Sequence, residues 1–206
     1  MSVAAITIGG DVSCCQHYDS DVSRWGPDAR GRLAQAALEL YGERGFDQTT
    51  AAEIANRAGL TERTFFRHFA DKREVLFAGS AQLQQLLVDA VASAPTSAAP
   101  IDAVTAALLA AGDPFNEERR SYARERRSVI AANAELRERE LIKMASLASA
   151  IADALRRRGV SEPAASLTAE AGIAVFRVTF DRWVDSDQDW RVLVRGALEE
   201  LKILVS

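Results

Sequence analysis

The chain is poor in the residues that most often carry chemistry. Its 206 residues include two cysteines and two histidines. Cys14 and Cys15 are adjacent, a spacing that rarely bridges, and no second pair exists to build a disulfide scaffold. His17 and His68 lie far apart, so no zinc site, and no metal or cofactor of any kind, is expected. The C-terminal half contains neither His nor Cys. A nucleophile–base pair or metal cluster is therefore not expected there, and the chain does not read as an enzyme. There are five prolines, mostly clustered, and no strand-like alternation persists. No run of 18 or more apolar residues occurs, which predicts no membrane-spanning segment. MSVAAITIGGD lacks the basic start and long apolar core of a signal peptide, so a cytoplasmic protein is expected.

What is present suits a helical globular protein. Apolar residues make up 48% and charged residues 26%, ordinary for a folded soluble domain. Alanine and leucine recur at helical spacing, and an all-α fold of about nine helices follows. The net charge of −4 looks unfavourable for nucleic acid. Locally, however, Arg63, Arg67, Lys72 and Arg73 face only Glu62 and Asp71, with His68 able to donate as well. An acidic body with a modestly basic face suits specific binding better than indiscriminate binding.

The most informative stretch is TAAEIANRAGLTERTFFRHF, residues 50–69. Thr50 and Glu53 form a capping box that starts one helix. Ala55 is small enough for a close helix approach, and Gly59 can take the left-handed conformation that ends that helix. Leu60 plugs the turn and Thr61 caps the next helix. Phe65 and Phe69, four apart, face the core, leaving Glu62, Arg63, Arg67 and His68 outward. This is a helix-turn-helix whose second helix can enter a major groove. Arg63 and Arg67 can pair with the two acceptors of guanine or with phosphate. Glu62 can accept from a cytosine amino group or simply favour the helix N-terminus. His68 is expected to hydrogen-bond neutrally to phosphate and not to sense pH.

Around that pair, residues 1–23 read as a flexible arm, 24–77 as the helix-turn-helix domain and 78–206 as a second domain. Pro27 opens helix 1 with Asp28 in its first turn, and Leu33, Ala36, Ala37, Leu40 and Tyr41 give one apolar face. Asp71 with Glu74 predicts one continuous helix from about 72 to 93. SAPTSAAP, residues 93–100, is a loop, and further helices are expected at 101–111, 116–132, 134–158, 163–184 and 188–204. Gly112-Asp113-Pro114 should turn the chain. Residues 116–133 interleave Glu with Arg and read as a solvated helix with paired charges, from which Tyr122 and one of Arg126 or Arg127 look inward to a ligand. Asp185, Asp187 and Asp189 have the alternate spacing that opens a calcium loop, but Trp190 and Gly196 stand where the loop needs glycine and glutamate. An acidic inter-helix turn is the reading adopted.

The segment RGRLAQAALELYGERGFDQTTAAEIANRAGLTERTFFRHFADKREVLF, residues 30–77, resembles the DNA-binding domain of the TetR family of bacterial transcriptional regulators. The matching marks include Gly45-Phe46, Thr49-Thr50, Ile54-Ala55, Ala58-Gly59-Leu60, Thr64, Phe69 and Asp71-Lys72. The C-terminal part is similar to an actinobacterial subgroup linked to acyl-CoA-like effectors. The resemblance implies a homodimer on a palindromic double-stranded operator, acting as a repressor and released by an apolar small molecule held in a C-terminal ligand-binding and dimerisation domain. It implies that Thr50 holds a phosphate, that Arg63 and Thr64 touch bases or backbone, that Arg67 and His68 reach bases or phosphate, and that Lys72 anchors a phosphate. Phe66 stands where the family usually has tyrosine, so a phosphate hydrogen bond is lost, though Phe66 can press on a thymine methyl. Tyr122, Met144, Phe176 and Phe180 are the candidate ligand residues; for Phe176, core and pocket remain equally open. Ala169, Gly172 and Trp183 on the penultimate helix, with Leu193 and Leu201 on the last, are expected at the dimer interface. Helix 4 is expected to be the only direct link between domains. The alternative is a ligand-binding helical dimer that no longer binds DNA.

Overall fold

The computed structural model describes residues 29–112 and 115–205, which form helices with no strand among them. The expected arm, Pro27, Asp28, Cys14, Cys15, His17 and the Asp113-Pro114 turn lie outside the described residues.

Three helices build the N-terminal core. Helix α1 (Ala29–Arg44) buries Leu33, Ala37, Leu40 and Tyr41 on one stripe. Gly45, at φ +85°, ends it by donating its N–H to Tyr41 O, a backbone conformation that favours glycine. Helix α2 (Ala51–Arg57) starts at the Thr50–Glu53 capping box, formed in both directions. Gly59, at φ +67°, turns the chain out of it, and Leu60 N–H closes back on Ala55 O. Helix α3 (Glu62–His68) is capped by Thr61, whose hydroxyl accepts from Thr64 N–H. Phe65 and Phe69 pack beneath it with Ile54, Phe46 and Tyr41.

The single helix expected from 72 to 93 is broken. The Asp71 carboxylate does accept from Arg73 N–H at 2.8 Å and Glu74 N–H at 3.2 Å. What it starts is a 3-10 turn over Glu74–Phe77, and α4 (Ser80–Ser93) begins only after Gly79. Val75, Leu76 and Phe77 are all buried. With three residues per turn, the 3-10 turn sends these consecutive side chains to all sides of its axis. Glu74–Ser93 as a whole has the length and apolar composition of a membrane span, but α4 lays Leu87 and Val91 into the C-terminal core.

Five helices follow: α5 (Pro100–Ala110), α6 (Glu117–Ala132), α7 (Ala134–Arg157), α8 (Ala164–Asp185) and α9 (Trp190–Val205). With α4 they enclose the second core, in which Leu108, Ile151, Leu155, Trp183, Val194 and Leu198 are buried. Asn133 alone joins α6 to α7, ending the first and capping the second through Leu136 N–H. That elbow reaches the N-terminal core, where Ile130 and Leu136 are buried among the residues of α1 to α3. Helix α4 is therefore not the only link between the two halves.

Candidate nucleic-acid interface

Helix α3 stands on Phe65 and presents its opposite side to solvent. Glu62, Arg63, Phe66 and Arg67 are exposed, and Phe66 keeps 54% of its surface open. Phe66 meets Phe65 edge-on, with ring centroids 5.3 Å apart, so the exposed ring is seated on a buried one. Among the described residues, Arg63 and Arg67 have no ion-pair or hydrogen-bond partner. The neighbouring cations differ. Arg57 is paired with Glu39 and Glu43, Arg44 with Glu53, and Arg73 with Asp71. Of the four cations counted toward the basic face, only Arg63 and Arg67 are left uncompensated on it.

The remaining expected contacts divide. Thr50 lies exposed at the start of α2, with its N–H and hydroxyl both donating to Glu53 Oε2 at 2.9 Å. Thr64 is half-buried, its hydroxyl 3.0 Å from that of Thr61. His68 departs from expectation: it is half-buried, and its Nε2 is enclosed without a hydrogen-bond partner. It is the last residue of a two-turn helix, next to Phe69, where the chain bends into the core.

Lys72 departs further. Its ammonium does not point outward but donates to Phe46 O at 2.8 Å and Thr49 O at 3.0 Å, with Asp47 O at 3.5 Å. It also lies 4.2 Å from the centre of the Phe46 ring. The turn before α2 offers a cluster of loop carbonyls, and the nearest cation satisfies them.

The C-terminal expectations are corrected at several positions. Ala169, Gly172, Trp183 and Leu193 are buried inside one protomer, and Leu201 packs half-buried against the same core. A Cβ at Gly172 would stand 2.5 Å from Val104 Cγ1, so the close helix approach is made by α5 of the same chain. The outward face of α8 carries Leu167, Ala174 and Val178, and that of α9 carries Val192, Gly196, Ile203 and Leu204. Tyr122 looks inward but packs on the N-terminal core, where burial raises the pKa of its phenol. Met144 lies half-buried against the second core. Phe176 and Phe180 belong to an aromatic cluster with Phe115, Trp183 and Trp190, in which Phe115 stacks on Trp190 at 4.1 Å. A surface hollow of about 510 Å³ opens beside Phe115, Trp183 and Trp190, rimmed by Arg120, Asp187 and Arg191; none of the four expected ligand residues lines it.

Helix α6 has the expected exposed face and one local pair, Arg120 with Glu117 at 2.8 Å, but most of its arginines reach other elements. Arg120 is 5% exposed and reaches Asp187 and Gln188 O. Arg124 donates twice to Val184 O, and Arg127 pairs with Asp185. These arginines serve the carbonyls and carboxylates at the end of α8, where a helix leaves acceptors unpaired. Arg126 is the inward residue of the Arg126–Arg127 pair. It lies over Phe77 and donates to Leu76 O at 2.6 Å, and burial holds its guanidinium below the usual arginine range. Asp189 caps α9 through the N–H groups of Arg191 and Val192.

Comparison with known proteins agrees with this geometry. Residues 33–78 match the profile of bacterial regulatory proteins of the tetR family, and residues 98–205 match the MftR C-terminal domain. The chain is 31% identical over 144 residues to MftR of Mycobacterium tuberculosis, assigned to the regulation of mycofactocin biosynthesis, covering 68% of this chain and 71% of MftR. It is 35% identical over 81 residues to the HTH-type transcriptional regulator TcmR of Streptomyces glaucescens, spanning 39% of this chain and about a third (36%) of TcmR. Its fold is similar to FadR of Bacillus subtilis in complex with stearoyl-CoA (TM-score 0.55, 18% identity, 82% of this chain and 95% of that one). It is also similar to the SmeT–triclosan complex (TM-score 0.57, 20% identity, 84% and 90%). The chain belongs to the TetR family of transcriptional regulators, with a helix-turn-helix DNA-binding domain followed by a C-terminal domain of the MftR type.

Proposed function

We propose that this regulator is a repressor that binds a palindromic operator as a homodimer and is released by an apolar small-molecule effector. The observation that carries the DNA half is the face of α3, where Arg63, Phe66 and Arg67 are exposed and no described residue compensates the two arginines. Guanidinium groups match guanine O6 and N7 or phosphate oxygens, and an aromatic edge matches the thymine methyl, the one apolar group on a major-groove edge. Glu62 at the start of the same face can accept from a cytosine amino group. Thr50 and Thr64 stand at the starts of α2 and α3 and are proposed to touch the backbone. Each protomer places α3 in one of two successive major grooves.

The dimer reading rests on the outward faces of α8 and α9. Leu167 and Val178 on the first, and Val192, Ile203 and Leu204 on the second, are large apolar side chains left exposed by the protomer. Ala174 and Gly196 between them permit close helix contact; a Cβ at Gly196 would meet nothing within 4 Å. An isologous four-helix contact with a second copy would bury this face.

The effector reading is supported by the fold shared with FadR, solved with stearoyl-CoA, and SmeT, solved with triclosan. Met144, Phe176 and Phe180 are proposed to border the site. Effector and operator must weaken each other's binding, since only differential affinity shifts a two-state protein. Duplexes selected from a random pool and their scrambled versions, titrated at several salt concentrations, test the proposal. Tighter binding of the selected duplex is expected; equal affinity for both would sink the specific-repressor reading.

A further inference from the structure

The hollow beside the end of α8 joins an aromatic wall to a buried charge. Phe115, Trp183 and Trp190 line its volume of about 510 Å³, and Arg120 and Arg191 reach it from α6 and α9. Phe115 connects it to the effector residues named above. Its ring lies 5.8 Å from that of Phe176, 5.9 Å from that of Phe180 and 4.1 Å from that of Trp190. Arg120 is almost wholly enclosed and lies over the Trp183 ring, yet its Nε has no hydrogen-bond partner among the described residues. One turn before Trp183, the Thr179 hydroxyl is likewise buried and unpartnered. Enclosed polar groups left unbonded are costly, and a bound polar atom removes that cost. The charges that Arg120 does meet are loosely held. Its Nη1 pairs with Glu117 at 2.8 Å and Asp187 at 3.3 Å, but the first carboxylate is 74% exposed and the second fully so. Its Nη2 donates to Gln188 O at 3.1 Å. Solvated carboxylates add little and can swing away. Asp189, the third carboxylate at the rim, is occupied by the N–H groups of Arg191 and Val192. Arg191 comes close because position 112 is glycine; a Cβ there would stand 2.9 Å from its Cζ.

We propose that this hollow is a binding site for an amphipathic acid: a carboxylate or phosphate oxygen accepts from Arg120, and an apolar body lies against Phe115, Trp183 and Trp190. Its occupant is the effector of the repressor described above, so the inference deepens that reading and rests on it. A ligand acid outcompetes Glu117 and Asp187 because its charge arrives attached to apolar surface that leaves water beside the rings. An amine at the same place would meet two guanidinium groups of its own sign.

The test titrates the full-length wild type, Arg120→Met and Asp187→Asn calorimetrically with decanoate, decyl phosphate, decanol and decylamine. The wild type is expected to bind at least one of the two acids roughly tenfold more tightly than decanol, the gain from one charge-assisted contact. Which acid binds more tightly identifies the head group. In Arg120→Met the acids should lose this advantage while decanol still binds. In Asp187→Asn, which removes a competing carboxylate, the acids alone should bind about two- to threefold more tightly. Decanol binding as tightly as both acids, decylamine binding most tightly, or an acid preference that survives Arg120→Met would each overturn the proposal. If Arg120→Met does not fold, Asp187→Asn decides, since that side chain is fully exposed; unchanged acid affinity would refute the site. The same ligands are then added to the complex with the selected duplex, which the tighter acid should weaken. An acid that binds through Arg120 but leaves duplex affinity unchanged upholds the site and removes the effector reading. Failure of both acids to bind a wild type that still separates selected from scrambled duplex overturns this inference alone.

Discussion

Helices α3 and α6 are both rich in arginine, and the two sets of guanidinium groups do opposite things. On α3, Arg63 and Arg67 stand exposed with no partner among the described residues. On α6, four of the five arginines, Arg120, Arg124, Arg126 and Arg127, are each tied to a carbonyl or carboxylate of another element. The first pair keeps its charge available for an incoming polyanion. The second set spends its charge inside the protein, joining α6 to the end of α8 and to the 3-10 turn at Leu76. Residue type alone does not separate an uncompensated face from a stitched one; the compensation of each cation does.

The largest effect is expected where one enclosed carboxylate holds two cations. Glu74, at the head of the 3-10 turn, is held by both Arg139 and Lys143 of α7 and is largely enclosed. Glu74→Ala leaves two cations facing each other without their anion, and should lower stability by about 3 kcal/mol. Arg63→Ala should change it by no more than about 0.5 kcal/mol. Urea denaturation of the two variants measures both. Equal losses would erase the distinction drawn between the regions.

The next effect is on DNA. Arg67→Ala should cost about 1–3 kcal/mol in binding the selected duplex and relax preference at one operator position. Arg124→Ala, removing a guanidinium from α6, should leave duplex affinity unchanged at temperatures where it is folded. A comparable loss of affinity in Arg124→Ala would make α6 a second nucleic-acid surface.

The same contrast explains what could be read from sequence. The capping box of Thr50 and Glu53, the Gly59 turn and the Phe65–Phe69 spacing are each decided within about four residues, and all are found in the structure. Lys72 was legible as a cation but not as an inward one, because its acceptors lie 23 to 26 residues earlier in the chain. The acceptors of the α6 arginines in α8 and the 3-10 turn are 50 to 68 residues away, which no local pattern encodes. Gly172 does sit where another helix comes close, but spacing cannot say whose helix arrives. It proved to be α5 of the same chain. Likewise, Asp71 and Glu74 announced a helix start but not that Val75, Leu76 and Phe77 would all be buried at once.

Arg73 lies between the two classes and gives the smallest test. It follows α3 closely and adds to the apparent basic face, yet its guanidinium pairs with Asp71 at 2.7 Å and approaches Glu135 at 3.9 Å. The Arg73 side chain, followed by the N–H groups of Arg73 and Glu74, holds the Asp71 carboxyl below the usual aspartate range. A carboxylate whose pKa is lowered by folding stabilises the native state above its unfolded pKa of about 4, and that contribution is lost as pH falls through the folded value. Asp71→Asn keeps an acceptor for the two N–H groups but removes the charge. At pH 7 it should cost about 0.5 kcal/mol, and the gap to wild type should close as pH drops below about 4. Removing the charge also frees Arg73, so Asp71→Asn should bind scrambled duplex slightly more tightly at low salt. Denaturant midpoints across pH, with duplex titrations at pH 7, measure both. A stability gap that persists in acid would mean that the loss does not come from the Asp71 charge, and that the Asp71–Arg73 pair is not what separates Arg73 from the uncompensated Arg63 and Arg67.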